Sequence, residues 1–111
     1  MSLLINVSSQ GDETIVSING EVDVSNANDL RAKLDEVLEG IDPESATNVT
    51  IDIAEVPYID STGIGVLVGT VQRASKRGLA LALKNPQRNV ARVLGLLGLG
   101  GELGLGDETE E

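Results

Sequence analysis

The 111 residues contain no cysteine and no histidine. Without a thiol there are no disulfides and no thiolate nucleophile. Without imidazole, zinc sites, His-assisted nucleophiles and His acid–base chemistry drop out as well. Aromatic residues are almost missing: there is no Phe and no Trp, and Tyr58 stands alone. Cations are scarce too, with 8 Lys and Arg against 18 Asp and Glu for a net charge of −10. Phosphate recognition runs on Lys and Arg, so neither nucleic acid nor an anionic membrane surface is an expected partner. No apolar run reaches transmembrane length and no signal-peptide pattern opens the chain, so the expected location is the cytoplasm.

What remains is a chain with 41% hydrophobic residues, nearly all Val, Ile, Leu and Ala. Its length suits one domain with one core. "LLINVSSQ" and "ETIVSING" are short β-type runs separated by a turn at Gly11 and Asp12, which predicts a hairpin. In "GEVDVSNANDLRAKLDEVLEG", Ser25 is the expected N-cap. Ala27, Leu30, Leu34, Val37 and Leu38 then follow helical spacing up to a stop at Gly40. "NVTIDIAEV" alternates Val49, Ile51 and Ile53 with polar residues, as a strand with one buried face does.

After Pro57 the period changes. Ile64, Leu67, Val68, Val71 and Ala74 predict a second helix ending near Gly78. "LALALK" is apolar on both faces and predicts a central strand covered by helices. Asn85 and Pro86 read as N-cap and first position of a third helix, whose stripe is Val90, Val93, Leu94 and Leu97. Leu103 and Leu105 suggest a short last strand, and residues 107–111 an acidic, unanchored tail beyond a domain at 1–106. The order β-β-α-β-α-β-α predicts an α/β domain with a mixed sheet.

The chemistry concentrates in "PYIDSTGIGVLVG", residues 57–69. One reading makes Asp60, Ser61 or Thr62 a helix cap and nothing more. A second is a dinucleotide loop, but the glycines run G-x-G-x-x-x-G and lie too far from the preceding strand. The next strand ends in Lys84 and Asn85 where a ribose-binding acid is required, and no G-x-x-x-x-G-K-[ST] loop is present. The third is a phosphorylation switch. Ser61 would sit exposed at a helix start, Gly63 and Gly65 would leave room for a kinase, and the helix N–H groups could hold a phosphate. Val66 is expected to add an exposed apolar patch beside the serine. Tyr58 is expected to plug the core edge, while Glu21 and Asp23 carry no acid–base pair signature.

Together, "GEVDVSNANDL", "VTIDIAEVPYIDSTGIGVLVG" and "GLALALKNPQRNVARVLGLLGL" resemble a bacterial STAS domain, over about Leu4 to Leu105. More narrowly they resemble the stand-alone anti-sigma factor antagonists. The resemblance implies a four- to five-stranded mixed sheet with helices mainly on one face, in a monomer or weak dimer. It implies no enzyme activity and no cofactor or metal of the chain's own. Ser61 would be phosphorylated by an anti-sigma factor serine kinase of the GHKL type and dephosphorylated by a PP2C-type phosphatase. Asp23, Asp60, Ser61, Thr62, Gly63 and Val66 would form the partner surface, with no nucleic acid and no direct membrane binding. The alternative within the same fold is an accessory subunit of a lipid-transport ATPase or of another bacterial signalling complex.

Overall fold

The computed structural model describes residues 3–96. The expected last strand at Leu103 and Leu105, the acidic tail and Leu97 lie outside them. Seven elements follow in chain order: β1 (Leu4–Gln10), β2 (Glu13–Asn19), α1 (Ala27–Glu39), β3 (Asn48–Glu55), α2 (Ser61–Lys76), β4 (Ala80–Lys84) and α3 (Arg88–Leu96). The sheet order is β1-β2-β3-β4. β1 and β2 form the expected antiparallel hairpin, while β2–β3 and β3–β4 are parallel. Each parallel step needs a crossover, which α1 and α2 supply.

One face of this mixed sheet carries the core. Val16, Ile51 and Leu83 are register partners across three strands and are fully buried. They share a cluster with Ala27, Leu30 and Leu34 of α1, Ile64 and Leu67 of α2, and Val90 and Leu94 of α3. The alternate residues Ile15, Ser17, Thr50, Asp52 and Ala82 are only half-buried, on the face turned away from this cluster. There the Thr50 hydroxyl donates to the Glu13 carboxylate. This period-two split is what a half-covered sheet dictates.

Three local expectations change. Among the described residues β4 is an edge strand, not a central one; the apolar character of its second face comes from Ala80 and Ala82, too small to demand a covering layer. Asn85 does not cap α3: it adopts a left-handed φ of 61°, a conformation Asn tolerates, and the helix starts at Arg88. The start of α3 is instead tied down by Gln87 Nε2 donating to the Ala54 carbonyl and Asn89 Nδ2 donating to the Pro57 carbonyl. On α3, Val90 and Leu94 are buried, whereas Val93 faces outward.

Candidate functional site

The polar loop of β2–α1 and the motif loop of β3–α2 are stitched together at the carboxyl ends of the parallel strands. Gly20, at a φ of 127° that favours glycine, turns the chain out of β2 and donates to the Glu55 carbonyl at 3.0 Å. The register between β2 and β3 shifts just there, between Ser17 and Asn19. Two residues on, Val22 N–H donates to the Tyr58 carbonyl at 2.9 Å and Asp60 N–H donates to the Val22 carbonyl at 3.1 Å. This parallel Val22–Ile59 bridge buries both side chains and places Asp23 and Asp60 next along the two chains. Residues 37 apart in sequence therefore share one corner.

Capping of α2 falls to Asp60. It has extended φ and ψ of −98° and −177°, and its Oδ1 accepts the Gly63 N–H at 3.0 Å. Ser61 and Thr62 occupy the first two helical positions and are exposed. Gly63 is buried because the first turn presses onto the bridge: a Cβ there would lie 2.5 Å from Val22 Cγ1 and 2.7 Å from Ile59 Cγ1. Only a residue without a side chain lets the helix start at this height.

The Asp23 loop is held by a residue that sequence reasoning missed. Asn26, 3% exposed, accepts the Asp23 N–H at Oδ1 (3.0 Å) and donates from Nδ2 to the Glu21 carbonyl (2.9 Å). It also occupies the N-cap position expected for Ser25. Ser25 turns back instead, its N–H and hydroxyl donating to Asp23 Oδ1 at 2.9 and 2.6 Å. Those two bonds, the hydroxyl's first, hold the Asp23 carboxyl below the usual aspartate range. The Asp-x-x-Asn spacing of residues 23–26 was the signal available for this reciprocal arrangement.

Two side chains swap places relative to expectation. Val66 is buried, not an exposed patch: the Val66–Thr70–Arg73 face of α2 turns toward α1, and Val66 joins the core cluster. Arg73 marks the direction. Its Nε lies 2.7 Å from Asp35 Oδ1 of α1 as an ion pair whose N–H is not aimed along the contact. Its Nη2 donates to Thr70 Oγ1 at 3.3 Å. Tyr58, expected at the core edge, is 49% exposed, and Val24 is 74% exposed. Ile59 fills the core position instead. Tyr58 and Val24, exposed and apolar, thus lie on the two stitched loops rather than on α2.

The corner offers an exposed hydroxyl at a helix N-terminus, flanked by two carboxylates and apolar side chains. Of the two carboxylates, Asp60 caps the helix through Oδ1 and Asp23 accepts both Ser25 bonds at Oδ1. Among the described residues no group of three or more His, Cys, Asp or Glu could hold a metal ion. Among them, too, no helix is long and apolar enough to cross a membrane.

Comparison with known proteins agrees with this architecture. The chain is 34% identical over 99 residues to the anti-sigma-B factor antagonist of Bacillus subtilis, covering 89% of this chain and 86% of that protein. The crystal structure of an anti-sigma factor antagonist from Mycobacterium paratuberculosis superposes with a TM-score of 0.77 at 23% identity, over 97% of this chain and 91% of that one. The Bacillus cell fate determinant SpoIIAA in its phosphorylated form superposes with a TM-score of 0.66 at 19% identity, over 96% and 95% of the two chains. At those identities the two structures speak for the fold alone. The family model for the STAS domain matches residues 5–111, and the chain belongs to the STAS domain family.

Proposed function

We propose that this STAS domain is an anti-sigma factor antagonist switched by phosphorylation at Ser61. Unmodified, it binds an anti-sigma factor serine kinase of the GHKL type and so frees the sigma factor. Phosphorylated, it lets go, and a PP2C-type phosphatase resets it. The observation that carries this reading is the division of labour between Asp60 and Ser61. The aspartate satisfies the helix end, and the serine hydroxyl is exposed and makes no hydrogen bond among the described residues.

In the transfer step Ser61 Oγ attacks the γ-phosphorus of the kinase's ATP. The bond from that phosphorus to the β–γ bridging oxygen breaks, ADP leaves, and the hydroxyl proton passes to a base on the kinase. The new phosphate stays beside the N–H groups of the first α2 turn, where the helix dipole favours an anion. It also adds about −1.5 to −2 charge next to Asp60 and near Asp23. A partner surface that accepts the neutral hydroxyl must then desolvate two clustered charges. The kinship with the Bacillus subtilis anti-sigma-B factor antagonist supports this client over a transport subunit. The testing experiment is a pull-down from the source cells comparing wild type with Ser61→Asp, followed by mass spectrometry after incubation with the captured kinase and ATP. One phosphate at Ser61 is expected; a phosphate only on Thr62, Ser25 or Ser75 overturns the assignment.

A further inference from the structure

Two glycines flank Ile64 in the opening turns of α2, and the fold requires only one of them. Gly63 is demanded by its contact with Val22 and Ile59. At Gly65 a Cβ would meet no heavy atom within 4 Å, the residue is exposed, and its φ is not in the left-handed region. A glycine inside a helix is less stable than alanine because it orders a more flexible backbone. At Gly65 no contact within the described residues compensates for that loss. Gly69, one turn further on, differs: Arg73 Nη1 lies 3.1 Å from where its Cβ would be. Gly95 also has open space, but it sits in the last turn of α3.

Position 65 is one helical turn beyond Ser61 on the same face. Side chains on a helix lean toward its N-terminus and cover the turn before their own Cα. A side chain at position 65 that reaches beyond its own Cβ would therefore extend toward the turn that carries Ser61. We propose that Gly65 is a specificity-determining residue of the modification site: its bare surface lets the wall of a protein kinase active site close over Ser61, at a standing cost in helix stability. The proposal rests on the reading of Ser61 as the phosphate acceptor. It separates Gly65, which serves access, from Gly63, which serves packing.

The test uses Gly65→Ala, Gly65→Leu and, as a control, Gly95→Ala in the full chain. Each is assayed for Tm and for phosphorylation by the anti-sigma factor serine kinase purified from the same cells, with Mg·ATP. Gly65→Ala is expected to raise Tm by a few degrees, as removal of a helix-interior glycine does, and Gly95→Ala, in a last helical turn, to change it less. Phosphorylation of Gly65→Leu is expected to fall about a hundredfold, since a displacement of about 1 Å at a reacting group suffices for that loss. Gly65→Ala is expected to show a smaller loss, and Gly95→Ala none. A purely structural glycine would move stability and phosphorylation in the same direction; here they move oppositely. Wild-type phosphorylation rates for Gly65→Leu, or a lowered Tm for Gly65→Ala, overturn the proposal. If wild type itself takes no phosphate at Ser61, the underlying reading fails and this inference falls with it.

Discussion

The Asp60 carboxylate accepts the Gly63 N–H at 3.0 Å, so the aspartate, and not the serine after it, closes the start of α2. Asp60→Ala should therefore cost about 1 kcal/mol of stability, the usual loss for a removed N-cap. Asp60→Asn should keep most of it, because Asn caps equally well. Ser61→Ala should stay within about 0.5 kcal/mol of wild type, as an exposed side chain without a structural partner does. Chemical denaturation of the three variants decides between them. The reverse order, with Ser61→Ala the more damaging, would return the serine to a capping role.

Phosphorylation at Ser61 should weaken kinase binding at least about a hundredfold, or roughly 2.7 kcal/mol. The domain should not refold, because the helix start can hold the phosphate where it forms. Ser61→Asp should reproduce part of the loss, since it brings one charge and fewer oxygens. Calorimetry on the unmodified, phosphorylated and Ser61→Asp proteins measures this. Equal affinities for all three would end the switch.

Gly63→Ala forces a methyl group to within 2.5 Å of Val22 Cγ1 and 2.7 Å of Ile59 Cγ1. Overpacking of this kind typically costs about 1–3 kcal/mol. The expected outcome is a lower Tm, with exchange protection lost first at the Val22 and Asp60 amides, whose bonds form the bridge. A Gly63→Ala protein as stable as wild type would show that the bridge yields easily.

Asn26 ties the Asp23 N–H to the Glu21 carbonyl from a nearly buried position. Asn26→Ala leaves both groups short of a partner, at a cost of about 1–3 kcal/mol. Asn26→Asp should recover only the bond from Asp23 N–H, because a carboxylate cannot donate to the Glu21 carbonyl. Melting curves with all three side chains at position 26 should rank Asn above Asp above Ala. A flat series would deny the residue its pinning role.

Asp23 titrates below the ordinary aspartate range because Ser25 donates two hydrogen bonds to it. A depressed folded-state pKa means its contribution to stability is present above the unfolded value and is lost as pH falls through the folded one. Ser25→Ala removes the hydroxyl bond, so the Asp23 carboxyl should titrate at higher pH by NMR. The acid-side loss of stability should then be smaller and complete at a higher pH. An unchanged Asp23 titration in Ser25→Ala would show that the serine hydroxyl is not the cause.

The sequence by itself determined the elements, because hydrophobic period is a local property. Val49, Ile51 and Ile53 alternate, and Ile64, Leu67 and Ala74 recur at helical spacing; each set is buried as a strand face or helix stripe must be. The helix start at residues 60–62 was legible for the same reason, since capping chemistry acts within one turn, although the sequence left open which of Asp60, Ser61 and Thr62 is the cap. The tertiary structure decided everything that depends on a second element. Val66 looked outward by its angle on an isolated helix, but α1 covers that side. Tyr58 and Ile59 are adjacent, and only the bridge to Val22 determines which of them turns inward. Gly63 and Gly65 look alike in the chain, and only the approach of Val22 and Ile59 separates a glycine that the core requires from one that it does not. Close approach between distant segments has no period in sequence: the family resemblance put Asp23 near Ser61, but only the assembled sheet shows the Val22–Ile59 bridge that joins them.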